Sequence, residues 1–132
     1  MSKNNWSQAR TDKLVEVILG WEKVEVVTIF QPFFPNPTAS IEWWKKNGIS
    51  KLIYNKFKPT ISLNHTMVFV NSGWFKEKCK IQMIQYTIDN SWCVTIFQED
   101  EEKIGWWNWC AEVINESLPL AICLALEKVV EV

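Results

Sequence analysis

The chain has 132 residues, 48% hydrophobic and 22% charged, which fits one globular domain (1–132) and excludes a disordered segment. That length can bury most of its apolar surface without disulfides. No apolar run approaches the roughly 20 residues of a membrane span, and the first residues, MSKNNWSQARTDK, lack the apolar core of a signal peptide. A cytosolic protein without a membrane partner is expected.

Trp6, Ala9, Lys13, Leu14, Val17, Ile18 and Trp21 recur at three- and four-residue spacing, predicting a helix from about Asn5 to Leu19. Asn5 or Ser7 would cap it, and Gly20 supplies the positive φ of a helix end. Val24 to Phe30 reads as a strand, rich in β-branched residues. The three prolines of QPFFPNP forbid regular structure. Asn36-Pro37 reads as a second helix start, so TASIEWWKKNG is predicted helical, with Ile41 and Trp44 on one side and Asn47-Gly48 at its end. Ser50 to Val70 reads as two strands split at Lys58-Pro59. Asn71-Ser72-Gly73 is a turn.

Lys76 to Ile88 reads as one long strand. Cys79, Ile81 and Met83 share one parity and Ile84, Tyr86 and Ile88 the other, so it has either a bulge or two buried faces. Asp89-Asn90-Ser91 is a hairpin turn, and Trp92 to Gln98 its partner strand. The acidic run Glu99–Glu102 is a solvated loop, and Ile104 to Asn115 a short helix. Ser117 to Val132 closes the chain. It is apolar all round for two turns, as a buried helix is, with Ser117 as cap and Pro119 in the first turn. The fold class is α+β: an antiparallel sheet covered by N-terminal, middle and C-terminal helices, a helix–sheet–helix sandwich.

VTIFQ occurs at Val27–Gln31 and Val94–Gln98, but two β-branched strands coincide in this way by chance, and no repeat is inferred. The four cysteines have no CxxC spacing, and they read as reduced, mostly buried thiols rather than zinc ligands. Nine tryptophans exceed what a small core needs. The pairs Trp43-Trp44 and Trp106-Trp107 cannot both face inward, so some aromatic area lies at a surface or an interface.

Charge is segregated. From Lys45 to Lys80 there are eight lysines (45, 46, 51, 56, 58, 76, 78 and 80) and one acid, Glu77; from Asp89 to Val132, nine acids and two lysines. The lysines are either solvent faces of strands, protecting edges from aggregation, or an aromatic-flanked surface for an anion. In the second case Trp74, Phe75 or Tyr54 stacks on a base while lysines hold phosphate. The acidic C-terminal third would repel a long phosphate track, so a small phosphorylated nucleotide fits and long nucleic acid does not. The two charge regions also suit a homo-oligomer, basic face to acidic face.

Catalytic groups are sparse. His65 is the single histidine, read here as a polar strand position, and no GxGxxG or Walker pattern occurs. No enzyme activity, cofactor or metal is expected.

LVEVILGW (Leu14–Trp21) resembles the opening helix of the phage ABA sandwich domain family, and LPLAICLALEKV (Leu118–Val129) its closing helix. FPNPTASIEWW resembles the family's middle element. The resemblance implies a phage- or prophage-encoded protein in the host cytoplasm. It further implies a signal-sequestering sponge like the Thoeris anti-defence proteins of the first type, which bind a cyclic ADP-ribose signal without cleaving it. A pyrophosphate favours arginine forks, whereas the closing helix carries Leu118, Leu120 and Leu124, so phosphate contacts would come from Arg10 or lysines. The candidate contacts by position are Trp74 and Phe75 for stacking, Asn71 for a base or ribose edge, and Lys76, Lys78, Lys80 and Arg10 for phosphates. The alternative is a protein-binding inhibitor or phage accessory protein that acts through exposed tryptophans.

Overall fold

A computed structural model describes residues 6–29, 38–99, 102 and 107–131. The chain is α+β, with two antiparallel three-stranded sheets and four α-helices among these residues. It divides into two compact units, Met1–Leu19 with Lys58–Val132, and Gly20–Phe57. Each is described by itself.

The first unit opens with α1 (Gln8–Leu14), which runs into a π-helical turn, Val15–Leu19. Leu14, Val15, Ile18 and Leu19 are buried, the stripe their spacing predicts. Ser7 stands at the N-cap, but its side chain makes no capping bond. Asn5 lies outside the described residues. Gly20 has the expected positive φ of 68°.

α2 (Leu63–Val70) replaces the predicted second strand. The reason lies in its first turn. The Ser62 hydroxyl accepts from the His65 amide, His65 Nδ1 accepts from the Lys58 amide at 2.9 Å, and the buried Thr66 hydroxyl donates to the Pro59 carbonyl. The first bond satisfies an N-terminal donor of the helix and the other two tie its first turn to the Lys58-Pro59 loop, features that β-propensity alone ignores. His65 is therefore a helical residue that anchors a loop, not a mid-strand one.

The predicted long strand is divided. α3 (Gly73–Lys78), capped by Ser72, precedes β4 (Cys79–Gln85), so the expected parity switch has no strand to run through beyond Gln85. The turn at residues 87–89 leads to β5 (Trp92–Glu99). Ser91 donates to the Asp89 carboxylate from both its amide and its hydroxyl, at 3.0 and 2.7 Å, which holds Asp89 below the usual carboxylate range. The segment predicted as a mixed helix is instead β6 (Trp107–Asn115); Ile104 to Trp106 lie outside the described residues. The sheet order is β4-β5-β6, all antiparallel.

β5 is the central strand and buries Cys93, Val94, Thr95 and Ile96. Val94, Ile96 and Ala111 share one face by register, and all three are at most 1% exposed. The closing helix α4 (Leu118–Val130) packs on β5 and β6 there. Its Ala121, Ile122, Cys123, Ala125, Leu126 and Val129 are buried. Leu120 and Leu124 are only half-buried, so one broad stripe is covered rather than the whole circumference. Each large apolar side chain buried this way contributes about 1.5–3 kcal/mol. Ser117 accepts from the Leu120 amide and Pro119 sits in the first turn, as predicted.

The second unit is a three-stranded antiparallel meander. β1 (Glu22–Ile29) pairs with β2 (Thr38–Lys46), and β2 with β3 (Ile49–Ile53), followed by a 3₁₀ turn, Tyr54–Lys56. The predicted middle helix is thus a strand from Thr38 onward; Asn36-Pro37 lies outside the described residues. Asn47 and Gly48 both have positive φ, 52° and 79°. Two consecutive left-handed residues make the two-residue hairpin turn whose twist suits paired strands. Trp44 is fully buried with its ring 5.2 Å from that of Tyr54, while its neighbour Trp43 is half-buried, as strand alternation requires. Trp44 Nε1 is buried with no hydrogen-bond partner among the described residues.

Candidate functional site

The contacts predicted by position, Asn71, Trp74, Phe75, Lys76, Lys78, Lys80 and Arg10, all lie in the first unit, where the structure gathers some and separates others; the stacking candidate Tyr54 lies in the second. Asn71 is exposed as the C-cap of α2. Two residues on, α3 begins. Its Trp74 is half-buried, and the Lys78 ammonium stands 5.7 Å from the ring centroid. Lys76 is exposed on the same short helix. Phe75 points the other way: at 3% exposure it is core and presents no ring face to a ligand.

Lys80 follows on β4, where its Nζ lies 4.4 Å from the ring centroid of Trp107 on β6. Register explains the meeting. Lys80 is opposite Phe97, and Trp107 opposite Glu99, so all four share the sheet face away from α4. Lysine–aromatic contacts of this kind are worth about 0.5–1 kcal/mol where exposed. Trp107 was not among the sequence candidates because its segment read as helix. The alternation of Trp107 and Trp109 about Asn108 is the strand signal that would have found it.

Arg10 is placed elsewhere, on α1. Its Nε donates to Glu127 Oε2 at 2.7 Å, its Nη2 donates to Oε1, and its guanidinium lies 4.3 Å from the Trp6 ring centroid. The fork expected for a phosphate is thus engaged by a carboxylate on α4, which raises the Arg10 pKa. Of the other five lysines of the basic stretch, Lys45, Lys46, Lys51 and Lys56 belong to the second unit and Lys58 to the first. The basic segment is therefore not one surface of either unit.

The sheet face away from α4 holds one more group of polar contacts. Cys93 Sγ is 3.7 Å from a Glu112 carboxylate oxygen and 4.0 Å from Thr95 Oγ1. Its hydrogen bond to Tyr86 raises the phenol pKa, the nearby thiol charge and burial adding to the effect. On the opposite side of the sheet, by the register of Gln98 with Ile96 and Val94, Cys110 donates to Gln98 Oε1 at 3.1 Å. Cys79, Cys93 and Cys123 are buried, as expected of small hydrophobes, and Cys110 is half-buried. Among the described residues no three His, Cys, Asp or Glu side chains converge as metal ligands, and no helix is long and apolar enough to cross a membrane. In the second unit a shallow cavity of about 190 Å³ is lined by Ile41, Glu42, Ile53, Tyr54 and Asn55; the Lys23 ammonium stands 4.7 Å from the Tyr54 ring and 3.5 Å from Glu42 Oε2.

No protein family, curated protein or solved structure matches the chain. The class is that of a small α+β protein carrying paired ammonium and indole groups along α3, β4 and β6.

Proposed function

We propose that this protein binds, without cleaving, a small phosphorylated nucleotide, and that as a phage-encoded anti-defence protein it sequesters a cyclic ADP-ribose signal in this way. The observation that carries the reading is the pair of lysine–tryptophan contacts, Lys78 with Trp74 and Lys80 with Trp107. Each sets a cation beside a flat aromatic surface, which is what a phosphate next to a base requires. Lys76 adds a third exposed ammonium nearby in sequence. The contact set is narrower than the sequence suggested: Trp74, Lys76, Lys78, Lys80 and Trp107, with Asn71 at the end of α2. Phe75 acts by holding α3 to the core, and Arg10 by joining α1 to α4.

The test is calorimetry and thermal shift with cyclic ADP-ribose isomers, linear ADP-ribose and cyclic dinucleotides. Binding should raise the melting temperature by an amount set by ligand concentration over Kd. Lys78→Ala with Lys80→Ala should weaken binding at least tenfold and steepen no salt dependence. Heating the complex should release the ligand chemically unchanged. Absence of any shift at millimolar ligand, or recovery of a hydrolysed product, ends the proposal.

A further inference from the structure

The sheet face away from α4 carries, beside the Lys80–Trp107 contact that the nucleotide reading uses, an exposed apolar surface that it leaves unexplained. Trp109 is 60% exposed, Ile114 57% and Ile84 45%. Exposed apolar patches of this kind on a sheet mark association surfaces. We propose that this face is an isologous dimer interface, and that its occupant is the same face of a second copy of this chain.

The register supplies the argument. Three cross-strand rows run across the face. The first is Lys80–Phe97–Trp109, the second Gln82–Thr95–Glu112, the third Ile84–Cys93–Ile114. Two sheets packed face to face keep their strands within about 30° of alignment. A two-fold axis parallel to β5 then lays β4 of one copy over β6 of the other at the same height. Lys80 meets the partner's Trp109, Gln82 meets the partner's Glu112, and Ile84 meets the partner's Ile114. The pairs are cation with indole, amide with carboxylate, and aliphatic with aliphatic, each made twice by symmetry. The surface is thus complementary to itself, row by row. A net charge of −1 offers little repulsion between copies.

Edge-to-edge pairing is the other way for two copies to meet. It is disfavoured at β6 because the register slips between Ile96 and Phe97, leaving Cys110 as a bulge that interrupts the ladder. Size sets the expected strength. Three strands of seven to nine residues span roughly 14 by 25 Å. That area falls below the about 800 Å² per partner of a standard interface, so association should be weak, with Kd on the order of tens of micromolar.

Sedimentation equilibrium of the full chain tests this. Wild type should shift from monomer at about 1 μM toward dimer at about 100 μM. Trp109→Lys places two ammonium groups opposite each other twice and should weaken dimerisation by tenfold or more. Adding Lys80→Glu to Trp109→Lys turns each clash into an ion pair and should restore the dimer. Ile114→Lys, at an equally exposed position, should also give monomer, and circular dichroism should show native structure in every variant. A wild type that stays monomeric at all concentrations overturns the proposal and leaves the face to a different partner. So does a Trp109→Lys protein that dimerises as wild type does, or a folded double variant that is not restored.

Discussion

Arg10 shows how a single side chain joins distant parts of the chain. Its guanidinium is bonded twice to Glu127, 117 residues away, and lies against the Trp6 ring. The pair is partly exposed, 36% for Arg10 and 18% for Glu127, so solvent screens it. A double-mutant cycle of Arg10→Ala and Glu127→Ala in urea should give a coupling of about 1 kcal/mol; a value near zero would mean the bond contributes nothing to folding. Two buried thiols give a second residue-scale prediction. Burial lifts Cys79 from 9.0 to about 11 and Cys123 from 9.0 to about 12, with a Thr66 hydrogen bond acting weakly against the rise at Cys123. Above pH 9 the unfolded chain loses thiol protons that the folded chain keeps. The folded state then binds more protons, so stability falls as pH rises from about 9 to about 11. Urea midpoints across that range should decline, and Cys123→Ala should flatten the decline.

At the scale of elements, the two turns that decide the local structure use the same residue chemistry for opposite ends. Gly20 has positive φ as a helix ends, and Asn47-Gly48 has it as a hairpin turns. An Asn-Gly pair after a run with helical spacing therefore reads either way, and the helix reading of Thr38–Lys46 lost to pairing with β1 over eight residues. Gly48 meets no atom within 4 Å of a would-be Cβ, so Gly48→Ala is opposed only by backbone strain. It should cost about 1 kcal/mol, measured by urea unfolding, and a neutral result would mean the turn relaxes. Ser117→Ala removes the bond from the Leu120 amide and should cost about 1 kcal/mol as well. α4 was legible because cap, first-turn proline and a nine-residue uncharged run, Leu118–Leu126, all agree. α2 and β6 were not. ISLNHTMVFV and WNWCAEVIN carry β-branched or aromatic residues in patterns that fit both periods, and their short length leaves arbitration to neighbours.

For the whole molecule, stability in the first unit should concentrate where α4 covers the sheet. Leu126 is completely buried, and Leu126→Ala should cost about 2–5 kcal/mol. Amide exchange should be slowest in β5 and α4, and faster in the edge strand β4, whose outer residues are exposed. Faster exchange in α4 than in β4 would contradict this order. The candidate site was legible in part: the lysines and Trp74 were read from composition, while Trp107 became visible only when register placed it beside Lys80. By itself the sequence determined the α+β class, the first and last helices, the β5 hairpin and the buried thiols, because these depend on local periodicity, capping and composition. Tertiary structure alone decided that Phe75 faces inward, that Arg10 is bound to Glu127, and that the basic stretch divides between two units. Such outcomes depend on which residues far apart in the chain come into contact, and nothing within a short window of sequence carries that information.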